Sequence, residues 1–104
     1  MIARLWSAEA RPTQAPAYRA HLENLVLPAI RKVEGYAGAM LLEREKDSSV
    51  EIIVITWWRT FDAIREFAGA DLEEAVVADE ASALLASFDR RVRHYKLVVR
   101  DEIC

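Results

Sequence analysis

The stretch Val50-Glu51-Ile52-Ile53-Val54-Ile55 is an almost unbroken run of apolar, mostly β-branched residues. Branching at Cβ stiffens each side chain and suits a pleated strand, and a run that is apolar at both parities needs cover on both faces. The segment therefore reads as an interior strand, Val50 to Trp58, and the rest of the chain has to cover it. Tyr36 to Arg44 is a second strand-length segment, joined to the first by the polar link Glu45-Lys46-Asp47-Ser48-Ser49. That spacing predicts a β-hairpin.

Ile2 to Ala8 is short and free of breakers and predicts an opening strand, ended by Pro12-Thr13. Side chains alternate along it, with Ile2, Arg4, Trp6 and Ala8 opposite Ala3, Leu5 and Ser7. Between Thr13 and Val33 the apolar residues Tyr18, Leu22, Leu25, Val26, Ala29, Ile30 and Val33 recur every three or four positions, the stripe of an amphipathic helix. Thr13 is the expected cap, Pro16 fits the first turn and Gly35 ends the helix. Pro28 lies inside the stripe, and its missing N–H predicts a kink between Leu25 and Pro28. A second helix is capped by Thr60, carries Phe61, Ile64, Phe67 and Ala68 on one face, and stops at Gly69. Asp71 and Glu74 have capping-box spacing, which predicts a helical turn through Val76. Another short helical piece runs from Asp79 to Leu84, Leu85 and Phe88. Arg91 to Val99 closes the chain as a fourth strand, with Val92, His94 and Lys96 opposed to Arg93, Tyr95 and Leu97.

The predicted order is β-α-β-β-α-β, an α+β, ferredoxin-like arrangement with an antiparallel four-stranded sheet and both helices on one face. A chain of 104 residues is read as one domain, 1–104. The other sheet face, with Met40 to Leu42 and Ile52 to Ile55, is then a large apolar patch. A homodimer formed through that face is the simplest cover.

Fourteen basic and seventeen acidic residues give a formal charge of −3, which argues against nucleic acid as a partner. The lone cysteine, Cys104, allows no internal disulfide, and no leader or membrane-length apolar run is visible, so the expected setting is a soluble cytoplasmic one without a membrane partner. No nucleophile elbow, phosphate loop, paired-histidine zinc motif or calcium loop occurs, and no metal site is expected. His21 reads as a partly exposed helix residue. His94, on a strand, is the candidate general base. The aromatic set Trp6, Tyr36, Trp57, Trp58, Phe61, Phe67, Phe88 and Tyr95 can wall a pocket between sheet and helices for a planar, partly polar ligand, the plain alternative being an ordinary core. Parity allows only one of Trp57 and Trp58 into such a pocket.

The opening Met1-Ile2-Ala3-Arg4-Leu5-Trp6, the turn Glu34-Gly35-Tyr36, the stretch Trp57-Trp58-Arg59-Thr60 followed by Asp62-Ala63-Ile64-Arg65-Glu66-Phe67-Ala68-Gly69, and His94-Tyr95 occur in an order that resembles the antibiotic biosynthesis monooxygenase (ABM) superfamily. The resemblance implies a dimeric α/β barrel. It also implies either a cofactor-independent monooxygenase acting on a phenolic substrate with O2 or a non-catalytic ligand-binding relative. The heme-degrading branch has an asparagine, a tryptophan and a histidine where this chain has Trp6, Phe67 and Val77, so heme degradation is not expected. For the cofactor-free branch the resemblance implies an indole donor from Trp6, Trp57 or Trp58, a phenol donor from Tyr36 or Tyr95, positive charge from Arg4 and a base at His94. The remaining aromatics, Phe67 and Phe88, would contact substrate.

Overall fold

The computed structural model describes residues 1–102; Cys104 lies outside them. The elements are β1 (Ile2–Ala10), α1 (Ala15–His21), a π-helical turn (Leu22–Val26), α2 (Leu27–Ile30), β2 (Tyr36–Glu45), β3 (Val50–Trp58), α3 (Phe61–Ala68), α4 (Asp79–Ser82), β4 (Ser87–Phe88) and β5 (Arg93–Lys96). The sheet is antiparallel in the order β2-β3-β1-β4, and β5 also pairs with β1. This is the ferredoxin-like α+β fold, with an open sheet that does not close on itself.

Each long element follows from local chemistry. β2 and β3 form the hairpin, with Lys46 N–H donating to Ser49 O at 2.8 Å across the polar link. A bulge between Tyr36 and Gly38 lets Tyr36 stand beside Trp58 while Ala39 stands beside Thr56. The Thr60 hydroxyl accepts from Ala63 N–H at 3.1 Å and caps α3, as expected. Gly35 has φ of 95°, and a Cβ there would come within 2.7 Å of Ala63 Cβ, so only glycine allows this close approach of turn and helix.

The first helix departs from its predicted phase. Instead of a simple kink at Pro28, the chain widens into a π turn in which Leu27 N–H bonds to Leu22 O. Pro28 has no N–H for the Asn24 carbonyl and its ring crowds that group; one extra residue in the turn relieves both. The widening leaves Leu25 62% exposed, whereas regular spacing would bury it. Thr13 is not the cap: the helix is entered from Gln14 without a side-chain bond.

The C-terminal third departs further. The predicted strand Arg91–Val99 is shortened to β5, opposite Ile2 to Leu5, and β4, opposite Ala8 and Glu9, forms where the helical piece ending in Phe88 was expected. Phe88 therefore lies on a strand and not on a helix. Between the two pieces residues 90–92 leave β1 and bond to the segment after α3: Ala75 N–H to Arg90 O at 2.9 Å and Val92 N–H to Glu73 O at 2.7 Å. Those bonds occupy the backbone that the expected helical turn over residues 71–76 would have needed. Arg91 pairs with Asp71 at 2.6 Å along the same seam.

Residues paired directly across strands share a face. The helix-covered face carries two apolar clusters. One includes Ala8, Tyr18, Leu22, Ile52, Val54 and Ala81; the other includes Ile2, Ile30, Trp58, Ala63 and Ile64. The opposite face shows Met40 at 52% exposure and Leu42 at 48%, with Leu5, Ile53, Ile55 and Trp57 half-buried between them.

Candidate functional site

Between the two apolar clusters runs a polar row. Arg4 on β1 stands opposite Thr56 on β3 and opposite His94 on β5, so three strands bring these side chains to one line on the helix-covered face. Tyr18, His21 and Leu22 come down from the first helix, Phe67 from α3, and Val76 to Ala78 from the loop stitched to residues 90–92. Together they line a cavity of about 80 Å³ that opens to solvent.

Arg4 is the dominant group. It is only 4% exposed, yet among the described residues it faces no carboxylate. Its Nη1 donates to Leu72 O at 2.5 Å and its Nη2 to Glu74 O at 2.7 Å. Phe67 lies under the guanidinium, 5.6 Å from its ring centre. Burial without a neutralising anion lowers the Arg4 pKa to about 10, which still leaves the group charged at neutral pH. Carbonyl dipoles accept from both of its terminal nitrogens but do not cancel its charge.

His94 sits beside it, with Nε2 3.0 Å from Arg4 Nη1. Guanidinium nitrogens only donate, so His94 Nε2 must present its lone pair and the ring proton is assigned to Nδ1. Burial first and the Arg4 charge second lower the His94 pKa, keeping the ring neutral; Glu73 opposes this weakly. A group neutral in the folded state and protonated in the unfolded one costs stability as pH falls below the unfolded value of 6.5. Wild-type stability should therefore fall more than that of His94→Gln between about pH 7 and about pH 5 in urea titrations. Parallel losses would show that His94 does not carry this linkage.

Thr56 Oγ1 accepts from Trp58 Nε1 at 2.8 Å, which leaves its own hydrogen free to turn toward the cavity it lines. His21 also lines the cavity, and its Nε2 is buried with no hydrogen-bond partner. Sequence reading missed both. The signal for His21 was its position three residues after Tyr18, on one helix face; for Thr56 it was its parity with Val54 and Trp58. Tyr18 is buried, and desolvation raises its pKa to about 12, so it stays a neutral phenol.

Of the anticipated site residues, Arg4, Trp6 and Phe67 line the cavity. The Trp6 indole N–H, expected to face a ligand, instead donates to Asp89 O at 2.8 Å. Trp58 is fully buried one layer out, stacked on Phe67 at 5.4 Å with Tyr36 edge-on at 5.5 Å. Phe88 packs on Trp6 at 6.3 Å, again behind the wall. Trp57 and Tyr95 are on the opposite sheet face, because Trp57 pairs with Ala3 and Gly38, and Tyr95 with Ala3. Phe61, expected inward, is 48% exposed and meets His94 edge-on.

An open antiparallel sheet under helices, with a cavity between them, is the architecture of a ferredoxin-like α+β protein. The sequence profile of the antibiotic biosynthesis monooxygenase (ABM) family matches residues 1–79, and the chain belongs to that family. Two uncharacterized proteins of Mycobacterium tuberculosis, MT2635 and Rv2558, are 27% identical to it over 99 residues, covering 95% of this chain and 39% of theirs. The chain thus spans about two fifths of the length of these curated relatives. A mutant of MhuD, the heme degrader of M. tuberculosis, solved with two manganese protoporphyrin IX per active site, superposes with a TM-score of 0.72 at 16% identity, covering 98% of this chain and 99% of that one. A monooxygenase from the gene ActVA-Orf6 of Streptomyces coelicolor, in complex with nanaomycin D, gives 0.63 at 17% identity, covering 99% and 90%. At such identities the likeness establishes the fold.

Proposed function

We propose that the chain is a homodimeric monooxygenase that binds a small planar phenolic metabolite in the Arg4 cavity and oxidises it with O2 without a cofactor. The observation that carries this reading is the buried guanidinium beside an apolar, aromatic-walled cavity that, among the described residues, is lined by no carboxylate. A phenolate or enolate is the ligand that supplies the missing charge, and such an anion is also the species that can give electrons to O2. Arg4 would hold the oxyanion, Trp6 and Phe67 would flank the ring, and His94 would fix Arg4 through its Nε2. Tyr36, Trp58 and Phe88 would support those walls from behind. Val77, at the position where the heme-degrading branch carries histidine, offers no iron ligand, and a space of about 80 Å³ is far too small for a porphyrin.

The dimer is part of the proposal. The open sheet face is apolar across β1, β2 and β3, and a second copy packed sheet on sheet would cover Met40, Leu42, Trp57 and Tyr95. Oxygen uptake with a panel of hydroquinones and anthrone-like phenols, without metal or flavin, tests the activity. Uptake that needs the protein and falls in Trp6→Phe and His94→Ala is expected. Saturable binding with no uptake across the panel would make the chain a ligand-binding relative. Light scattering at micromolar concentration should give twice the chain mass, and a monomer would remove the dimer.

A further inference from the structure

We infer that His21, not His94, is the group that takes the proton from the ligand, and that the ligand is a small molecule that presents one acidic hydroxyl, on a ring or an enol, to the cavity. This rests on the reading of the Arg4 cavity as an anion site. His94 is poorly placed to act as a base, because its Nε2 lone pair already receives Arg4 Nη1 at 3.0 Å, and His94 is not among the residues that line the cavity. His21 is the converse case. Its Nε2 is buried, faces the cavity and has no partner in the protein.

The groups around the cavity define what His21 can do. Arg4 is the charged group that faces it, from β1; Tyr18, one turn earlier on α1 with ring centres 6.3 Å from His21, is a neutral phenol. The π turn contributes Leu22 and Val26, β3 contributes Val54 and Thr56, and α3 and α4 present Phe67 and Ala81. Among the described residues, no carboxylate lines the cavity to compete for Arg4. A neutral ligand entering with its O–H toward Nε2 can pass the proton to that lone pair. The O–H electron pair then stays on oxygen, whose negative charge falls within the field of Arg4. Histidine gains one positive charge as the ligand gains one negative, so the buried site as a whole keeps its charge.

Size fixes the class. Engineered apolar cavities that hold benzene measure about 150 Å³, so a space of about 80 Å³ that opens to solvent takes the hydroxyl-bearing edge of a ring or a compact enol, with the rest of the ligand at its mouth.

The test uses 4-nitrophenol, whose phenolate absorbs visible light and whose phenol does not, together with 4-nitrobenzoate, an anion that needs Arg4 but no base. At a pH where free 4-nitrophenol is mostly protonated, wild-type protein should generate bound phenolate. His21→Gln should generate at least about tenfold less, since an amide takes no proton, while 4-nitrobenzoate binding stays close to wild type and shows that the cavity is intact. Equal phenolate in His21→Gln and wild type would overturn the assignment of the base. Absence of phenolate in wild type would overturn the ligand class. Oxygen uptake separates the two readings: phenolate without uptake keeps this inference and sinks the monooxygenase, whereas uptake that survives His21→Gln does the opposite. Should His21→Gln lose 4-nitrobenzoate as well, His21→Asn replaces it, and phenolate formation by His21→Asn at the wild-type level overturns the inference.

Discussion

Trp58→Ala is expected to lose about 3–5 kcal/mol of unfolding free energy, the usual cost of emptying a fully buried large aromatic position. Trp58 has no exposed surface; it joins Tyr36 to Phe67 by edge and face contacts, and donates its indole N–H to Thr56. A domain of this size has only about 5–15 kcal/mol in total, so the variant should sit near the edge of folding at room temperature. Trp58→Phe separates the contributions. It keeps a ring in the stack and loses one hydrogen bond and part of the volume, so a loss nearer 1–2 kcal/mol is expected. Urea unfolding followed by fluorescence and circular dichroism measures both. A cost of less than about 1.5 kcal/mol for Trp58→Ala would mean that the second apolar cluster collapses around the hole and is not rigidly packed. Because Phe67 rests on Trp58 and under Arg4, the same variant should also weaken ligand binding.

The second large effect is on binding. Arg4→Met keeps most of the side-chain volume and removes the guanidinium, so 4-nitrobenzoate affinity should fall by about 10- to 100-fold, corresponding to the ~1.5–3 kcal/mol of a charge-assisted hydrogen bond. Stability should move much less than in Trp58→Ala, since two terms oppose each other. Leu72 O and Glu74 O lose their donors, but an uncompensated cation no longer has to be buried. The loop they belong to should loosen, which hydrogen exchange at residues 71–76 reads directly. Unchanged affinity in Arg4→Met would mean that the anion site lies elsewhere, and the proposed function would fall with it.

The legibility of this fold in its sequence follows the range of the interactions involved. Alternation along a strand is a property of neighbours, and it correctly separated Trp57 from Trp58. Applied consistently, the same rule forbids His94 and Tyr95 from sharing a pocket, and the structure places them on opposite faces. The hairpin, the Thr60 cap and the disturbance around Pro28 are local and were visible, although the form of that disturbance was not. The chain relieves Pro28 with an extra residue in a π turn, which turns Leu25 outward while Ile30 and Val33 keep their inward places. The late start of the last strand, and β4 before it, were illegible for another reason. Residues 90–92 find their hydrogen-bond partners in Glu73 and Ala75 and not in β1, a choice between two distant segments that local pattern does not encode.

The site divides in the same way. Sequence alone determined that Arg4 and Trp6 share a face of the first strand, that the central strand must be covered on both sides, and that a ferredoxin-like sheet leaves one apolar face open. These follow from side-chain period and from the need to remove apolar surface from water. Tertiary structure alone decided that His94, Arg4 and Thr56 form one row, that the Trp6 indole is occupied by Asp89, and that His21 reaches the cavity with a free nitrogen. Strand register and the docking of a helix on a sheet are set by contacts between residues far apart in the chain, and the burial of a charge or of an unpaired nitrogen exists only once those contacts have formed.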